Sequence, residues 1–260
     1  VTDERVCAGG CGRPAPTLEI LGQKIAVRYC PDCAERERRE QDVRDRAQAE
    51  AAALRRAGAT ERLLELTLET YPEDGQAALQ FARGWLERYR AGERQNLWLV
   101  GDIGAGKTGL AWGLVRQIVA DEIERYFGLD EEFRAGTPSN VALLIVWRDL
   151  LDALRAEMND PTEYDGSTLY RFACNVRVLA LDDLGAERPT EYALERLAGL
   201  VQARYDARRP TIVTTNYQSP QLAARLGETD KLLGRRIADR LYDGSVGVTL
   251  ERASRRGRAG

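Results

Sequence analysis

The run Gly101-Asp102-Ile103-Gly104-Ala105-Gly106-Lys107-Thr108 constrains the fold more than any other stretch of this chain. It satisfies G-x-x-x-x-G-K-[ST], a spacing whose glycines let the backbone turn closely around a phosphate just where a helix begins. Such a loop needs a strand before it and a helix behind it. Leu97 to Val100 is an apolar run that reads as the strand, and residues 107–126 read as the helix. Beyond it the pattern keeps alternating, with strands over 141–146, 177–181 and 210–214 and helices over 149–158 and 190–207. These strands are continuously apolar, as strands covered on both faces are. The expected fold is therefore α/β, a P-loop core with an open, mainly parallel sheet flanked by helices.

Backbone N–H groups over Gly104, Ala105, Gly106 and Lys107 are expected to cradle phosphates, with Gly101, Gly104 and Gly106 leaving room for the approach and Gly109 completing the contact set. Lys107 would carry its charge to the β- and γ-phosphates, and Thr108 would offer a hydroxyl to magnesium. Further on, Val178-Leu179-Ala180-Leu181-Asp182-Asp183-Leu184-Gly185 reads as a buried strand ending in paired carboxylates. Adjacent carboxylates repel and lose hydration unless a cation offsets them, and magnesium is the natural cation here. Asp182 is assigned to the metal shell through water, and Asp183 to orienting or deprotonating the attacking water. The strand Thr211 to Thr214 runs into Thr215-Asn216, whose amide could reach the γ-phosphate or that water. Triphosphate binding and magnesium-dependent hydrolysis follow as the expected chemistry.

Composition removes several alternatives. The 260 residues contain no histidine, which excludes histidine bases, Ser-His-Asp and Cys-His nucleophiles, and imidazole metal ligands. A net charge of -3 excludes a uniformly basic nucleic-acid binder. Contact with DNA would need a local patch: Arg225 to Arg240, with Lys231, Arg235 and Arg236, or the tail with Arg252, Arg255, Arg256 and Arg258. No apolar run approaches the ~20 residues that span a bilayer, and Val1 to Arg5 lacks the features of a secretory signal, so a cytoplasmic location is expected.

Four of the five cysteines stand near the start, as Cys7-x3-Cys11 and Cys30-x2-Cys33. Two close pairs are what a four-thiolate zinc site requires, each pair closing a knuckle. Two disulfides or a redox pair at Cys30 and Cys33 are the rivals. The first is disfavoured in a reducing compartment, and the second leaves Cys7 and Cys11 unexplained. A hairpin between the knuckles would pair residues 18–20 with 25–29. Residues 1–34 then form the zinc module, 35–69 a charged helical spacer (helix over 34–57, ended at Gly58), and 70–260 the nucleotide-binding domain. Within that domain residues 76–90 read as an amphipathic helix with Ala77, Phe81, Trp85 and one of Leu86 or Tyr89 inward. Cys174 reads as an inert buried thiol.

With these residues in place, the chain resembles the AAA+ ATPases of the bacterial DnaC/DnaI helicase-loader type, with IstB-like transposase helpers as close relatives. Gly101–Thr108 matches Walker A, Leu179–Gly185 Walker B, Thr214-Thr215-Asn216 sensor 1, and Leu233–Leu241 the arginine-finger segment. The match covers residues 70 to 250, and Asp-Asp-Leu-Gly replaces the Asp-Glu usual elsewhere in AAA+ proteins. The resemblance implies ATP as the nucleotide and Arg240 as a finger reaching a neighbouring subunit, with Arg236 one turn earlier as the alternative. It also implies a helical or ring-like homo-oligomer that binds a replicative ring helicase and single-stranded DNA. On the IstB reading the partners are a transposase and duplex DNA. The cysteine cluster with its charged helix looks like the N-terminal module of some loaders, which favours the first. A P-loop kinase would show an acceptor pocket and lid arginines, which this motif order does not suggest.

Overall fold

The computed structural model describes residues 6–20, 23–134, 136–160 and 165–251, and the chain divides into two units, Val1–Ala51 and Ala52–Gly260. In the first unit β1 (Thr17–Ile20) and β2 (Gln23–Ala26) pair antiparallel, Thr17 opposite Ala26 and Ile20 opposite Gln23. The second strand therefore starts and ends earlier than residues 25–29. Leu21-Gly22 at the turn, and the tail arginines from Arg252 on, lie outside the described residues. Helix α1 (Pro31–Arg56) begins at a proline, which suits the first helical position because its missing N–H has no helical partner there. Cys33 therefore sits in the first turn of a helix rather than ahead of one. Ion pairs Arg39–Glu35, Arg44–Glu37 and Arg44–Glu40 line its polar surface.

The second unit opens with α2 (Glu61–Leu64), capped by the Thr60 side chain, and α3 (Gln76–Arg90). The buried face of α3 is Ala78, Leu79, Ala82, Trp85 and Leu86, while Ala77 is exposed and Phe81 half-buried. The expected stripe is right at Trp85 and Leu86 and one residue early at Ala77 and Phe81. Trp85 fixes the true phase, because its indole N–H donates to Gln95 O at 2.9 Å and anchors the ring inward. The core then runs β3 (Leu97–Gly101), α4 (Lys107–Phe127), β4 (Ala142–Val146), α5 (Trp147–Asn159), α6 (Gly166–Asn175), β5 (Val178–Asp182), α7 (Glu191–Asp206), β6 (Thr211–Thr215), α8 (Ser219–Leu226), α9 (Lys231–Tyr242) and β7 (Val246–Leu250).

The strands lie in the order β4-β5-β6-β3-β7, every pairing parallel. On one face Trp98, Val100, Leu143, Leu179, Leu181 and Val213 pack with residues of α5 to α9 in a single core, and α4 contributes nothing to it. Chain order reverses around β3. Its own helix leads away to β4, while its neighbours β6 and β7 arrive last. In an open α/β sheet the crevice beyond the strand C-termini at such a reversal is where a ligand sits.

One strut inside this core has no carboxylate partner. Arg204 is 1% exposed and donates to Thr211 Oγ1, Ala173 O, Val176 O and Pro210 O, tying α6, α7 and the start of β6 together. Burial draws its pKa down, yet four acceptors depend on it. Arg204→Leu is expected to destabilise the domain by about 3 kcal/mol or more, because buried acceptors lose their donors. Denaturant midpoints measure this, and a change under ~0.5 kcal/mol would show that water replaces the guanidinium.

Candidate nucleotide site and metal centre

The loop between β3 and α4 closes on itself through Ala105 N, which donates to Asp102 O at 3.2 Å. Gly106, at the N-cap of α4, has φ 95°, a left-handed conformation that side chains resist. At Gly101 a Cβ would stand 2.7 Å from Leu250 O, so the turn out of β3 tolerates no side chain. Thr108 and Gly109 follow Lys107 in the first turn of the helix, whose free N–H groups and dipole favour an anion.

Three separated segments converge there. Lys107 is 7% exposed, and its Nζ donates to Gly101 O at 2.8 Å, Asp102 O at 2.9 Å and Asn216 Oδ1 at 2.7 Å. Thr108 Oγ1 donates to the two carboxylate oxygens of Asp182, each at 3.0 Å. Asp182 is 4% exposed, and burial pushes its carboxyl above the usual carboxylate range against the hydroxyls of Thr214 and Thr108. A buried carboxylate aligned with a loop hydroxyl is a donor set that suits magnesium, a hard cation with oxygen ligands. Asp183 is exposed at the mouth, one residue past the strand end, with φ 56°. That left-handed backbone costs about 1–2 kcal/mol for an L-residue. Its N–H donates to Thr214 Oγ1 at 2.8 Å, and Thr214 in turn donates to Asp182.

The structure thus gathers Gly101, Gly104, Ala105, Gly106, Lys107, Thr108, Gly109, Asp182, Asp183 and Asn216 at the C-terminal ends of β3, β5 and β6. Arg240 is not among them. It lies half-buried on α9 with its guanidinium 6.0 Å from the centre of the Tyr205 ring, at a cleft of about 360 Å³ lined by Tyr205, Ser219, Asp239, Tyr242 and Asp243. Neighbouring charges are otherwise engaged: Arg235 pairs with Asp239 at 3.7 Å, and Tyr205 Oη donates to Asp243 at 2.8 Å. Among the described residues Arg240 makes no ion pair. Arg236 is exposed on the same helix. From the sequence Thr214 belongs to the Thr214-Thr215-Asn216 segment without a role of its own; its hydroxyl bridges both carboxylate positions. Its place two residues before Asn216 at a strand end was the available signal.

In the N-terminal unit the Sγ atoms of Cys7, Cys11, Cys30 and Cys33 all lie within 4.8 Å of one another, and none is in a disulfide. A zinc tetrahedron with bonds of ~2.3 Å separates its sulfurs by roughly 3.8 Å, so the cluster fits that ion. Cys30 N donates to Cys7 Sγ at 3.1 Å, which draws the Cys7 thiol down to about 7. Cys33 donates its thiol proton to the Cys30 and Cys11 sulfurs, and these bonds push it up to about 12. Four thiolates this close need a divalent cation to ionise together. Close packing also explains Gly9, where a Cβ would lie 2.6 Å from both Cβ and Sγ of Cys33. Among the described residues no helix is long and apolar enough to cross a membrane.

Neither protein-family profiles nor curated proteins give a match to this chain. Solved structures do. A DnaC helicase loader is 24% identical with TM-score 0.56, covering 74% of this chain and 100% of its own. A DnaI structure is 24% identical with TM-score 0.56, covering 76% and 94%. A putative primosome component from Streptococcus pyogenes serotype M3 is 22% identical with TM-score 0.55, covering 79% and 98%. At these identities the likeness establishes a shared fold.

Proposed function

We propose that this chain is an ATP-hydrolysing AAA+ helicase loader: a magnesium-dependent ATPase that assembles with copies of itself, binds single-stranded DNA and holds a replicative ring helicase in the cytoplasm. One observation carries the ATPase reading. From the first turn of α4, Lys107 meets Asn216 at 2.7 Å and Thr108 meets Asp182 at 3.0 Å, at the C-terminal ends of the neighbouring parallel strands β6 and β5. On this reading Lys107 exchanges its three internal acceptors for phosphate oxygens, and Thr108 with Asp182 would hold magnesium, which supplies charge neutralisation at the phosphates. Asp183, at the mouth, accepts the proton of the attacking water, and Asn216 orients that water. The fold shared with a helicase loader and with DnaI favours the loader over a transposase helper, as does the four-cysteine cluster. We assign residues 1–34 to zinc binding and partner contact, 35–69 to a spacer and 70–260 to the ATPase.

Arg240 is assigned as a finger acting on the neighbouring subunit's ATP, where a guanidinium neutralises transition-state charge only after assembly. Arg240→Ala should leave ATP affinity within about twofold of wild type and slow hydrolysis by about 100-fold or more. Mixing decides the assignment. Arg240→Ala subunits keep an intact Walker site and Lys107→Ala subunits an intact finger, so co-assembled mixtures should regain activity that neither has alone. No recovery at any ratio, despite shown co-assembly, would return Arg240 to a surface role. The partner is tested by co-purification with the cognate ring helicase. Capture of a transposase on duplex DNA instead would replace the loader reading.

A further inference from the structure

The turn after the paired carboxylates is held from several sides. A left-handed backbone at a non-glycine residue such as Asp183 (φ 56°) persists only where its surroundings over-determine it. Thr214 holds the near end, accepting from Asp183 N at Oγ1 (2.8 Å) and from Leu184 N at its carbonyl (2.9 Å). Thr215 Oγ1 donates to Leu184 O at 2.7 Å. Beyond Leu184 the holding groups come from α8 and the residues after it. Arg225 Nε donates to Gly185 O at 3.4 Å and its Nη2 to Glu187 O at 3.2 Å. Its Nη1 is fixed by the Glu228 carboxylate at 2.9 and 2.8 Å. Thr229 Oγ1 donates to Pro189 O at 2.8 Å. The α8 side chain Leu222 closes over the same turn, since a Cβ at Gly185 would stand 2.7 Å from its Cδ1.

We propose that Arg225 is a positioning residue for hydrolysis, clamping the Gly185 and Glu187 carbonyls so that Asp183 is presented at the mouth of the nucleotide site. This rests on the hydrolysis reading above. The clamp needs a guanidinium: one planar fork reaches two carbonyls and a carboxylate at once, whereas an ammonium on a flexible stem cannot span them. Only 24% of the Arg225 side chain is exposed, so water is poorly placed to substitute. Arg225 also gives α8, which packs on the α9 that bears Arg240, a grip on the turn beside the carboxylates. Lys107 bonds Gly101, Asp102 and Asn216, and Thr108 bonds Asp182, while Arg225 bonds the turn beyond, so nucleotide binding and hydrolysis should respond differently to its loss.

The test compares wild type with Arg225→Lys and Arg225→Ala in the full chain. Steady-state kinetics give kcat and KM for ATP, and hydrogen exchange by mass spectrometry, without nucleotide, reads the segment 183–189. Arg225→Lys should lower kcat by about tenfold, as expected when a charged donor to two carbonyls is lost, with KM within about twofold. Exchange in 183–189 should speed up while α4 exchanges as in wild type. Arg225→Ala should be worse than Arg225→Lys, and if it does not fold the lysine variant carries the test. Wild-type kcat and unaltered exchange in Arg225→Lys would overturn the inference alone. Parallel loss of ATP binding would also overturn it, since the clamp would then be general support. No turnover in the wild-type protein would overturn the hydrolysis reading and this inference with it.

Discussion

Lys107→Ala is expected to weaken ATP binding by about 100-fold or more, because the charge-assisted bonds of one ammonium to two phosphates are lost together. The substitution also leaves Gly101 O, Asp102 O and Asn216 Oδ1 without the donor they share, so the loop loses its internal brace. Calorimetric titration with ATP and magnesium measures the first effect. Asp183→Asn is the contrasting variant. It keeps the exposed position and its backbone bond to Thr214 but removes the proton acceptor, so binding should persist while phosphate release falls by about 100-fold. Equal loss of binding in both variants would show that Asp183 holds the nucleotide rather than acting on the water.

The second large effect is expected at the N-terminus. The wild-type protein should carry about one zinc per chain, and converting Cys30 and Cys33 to serine should abolish it and unfold residues 6–30. A unit this small depends on its metal, since structural zinc contributes ~10–16 kcal/mol at neutral pH. Elemental analysis and limited proteolysis report the two outcomes, and Ala52–Gly260, which has its own sheet, should still bind ATP. A zinc-free wild-type protein with a protease-resistant N-terminus would remove zinc from the account. Gly9→Ala is a subtler probe of the same site, because the added methyl group would displace Cys33 without removing a ligand.

That the loop after β3 and the end of β5 meet was legible in the sequence because glycines, a lysine and paired carboxylates at strand ends mark turns at the same edge of a parallel sheet. Gly101 to Thr108 does form the turn between β3 and α4, and Asp182 does end the buried strand β5 beside Thr108. Core strands were legible because burial on both faces favours runs of apolar residues, as over Leu97–Val100. β7 was not legible. It is an edge strand, Val246-Gly-Val-Thr-Leu, with alternating exposure and a glycine facing Trp98, so it lacks the apolar run that marked the others. α6 was missed because Gly166 opens it and its apolar face is short, although Asp165 caps it. The contacts that Thr214 and Arg225 make with the turn after Asp182 had at most a faint signal in the sequence. Both depend on β6 lying beside β5, a juxtaposition that sheet order creates and local sequence does not encode.

The place of β3 between β6 and β7 bears on how this protein is made. Leu97 pairs with Ile212 on one side and Val246 on the other, so both neighbours of the phosphate-loop strand are synthesised more than 100 residues later. Until they emerge, β3 is a bare strand with two open edges and an apolar face, the kind of segment that pairs with whatever other strand is at hand. The site at the end of β3 therefore cannot form progressively behind the ribosome. The second edge of β3 is closed only when β7 (Val246–Leu250) emerges, and until then the growing chain must be kept from pairing wrongly.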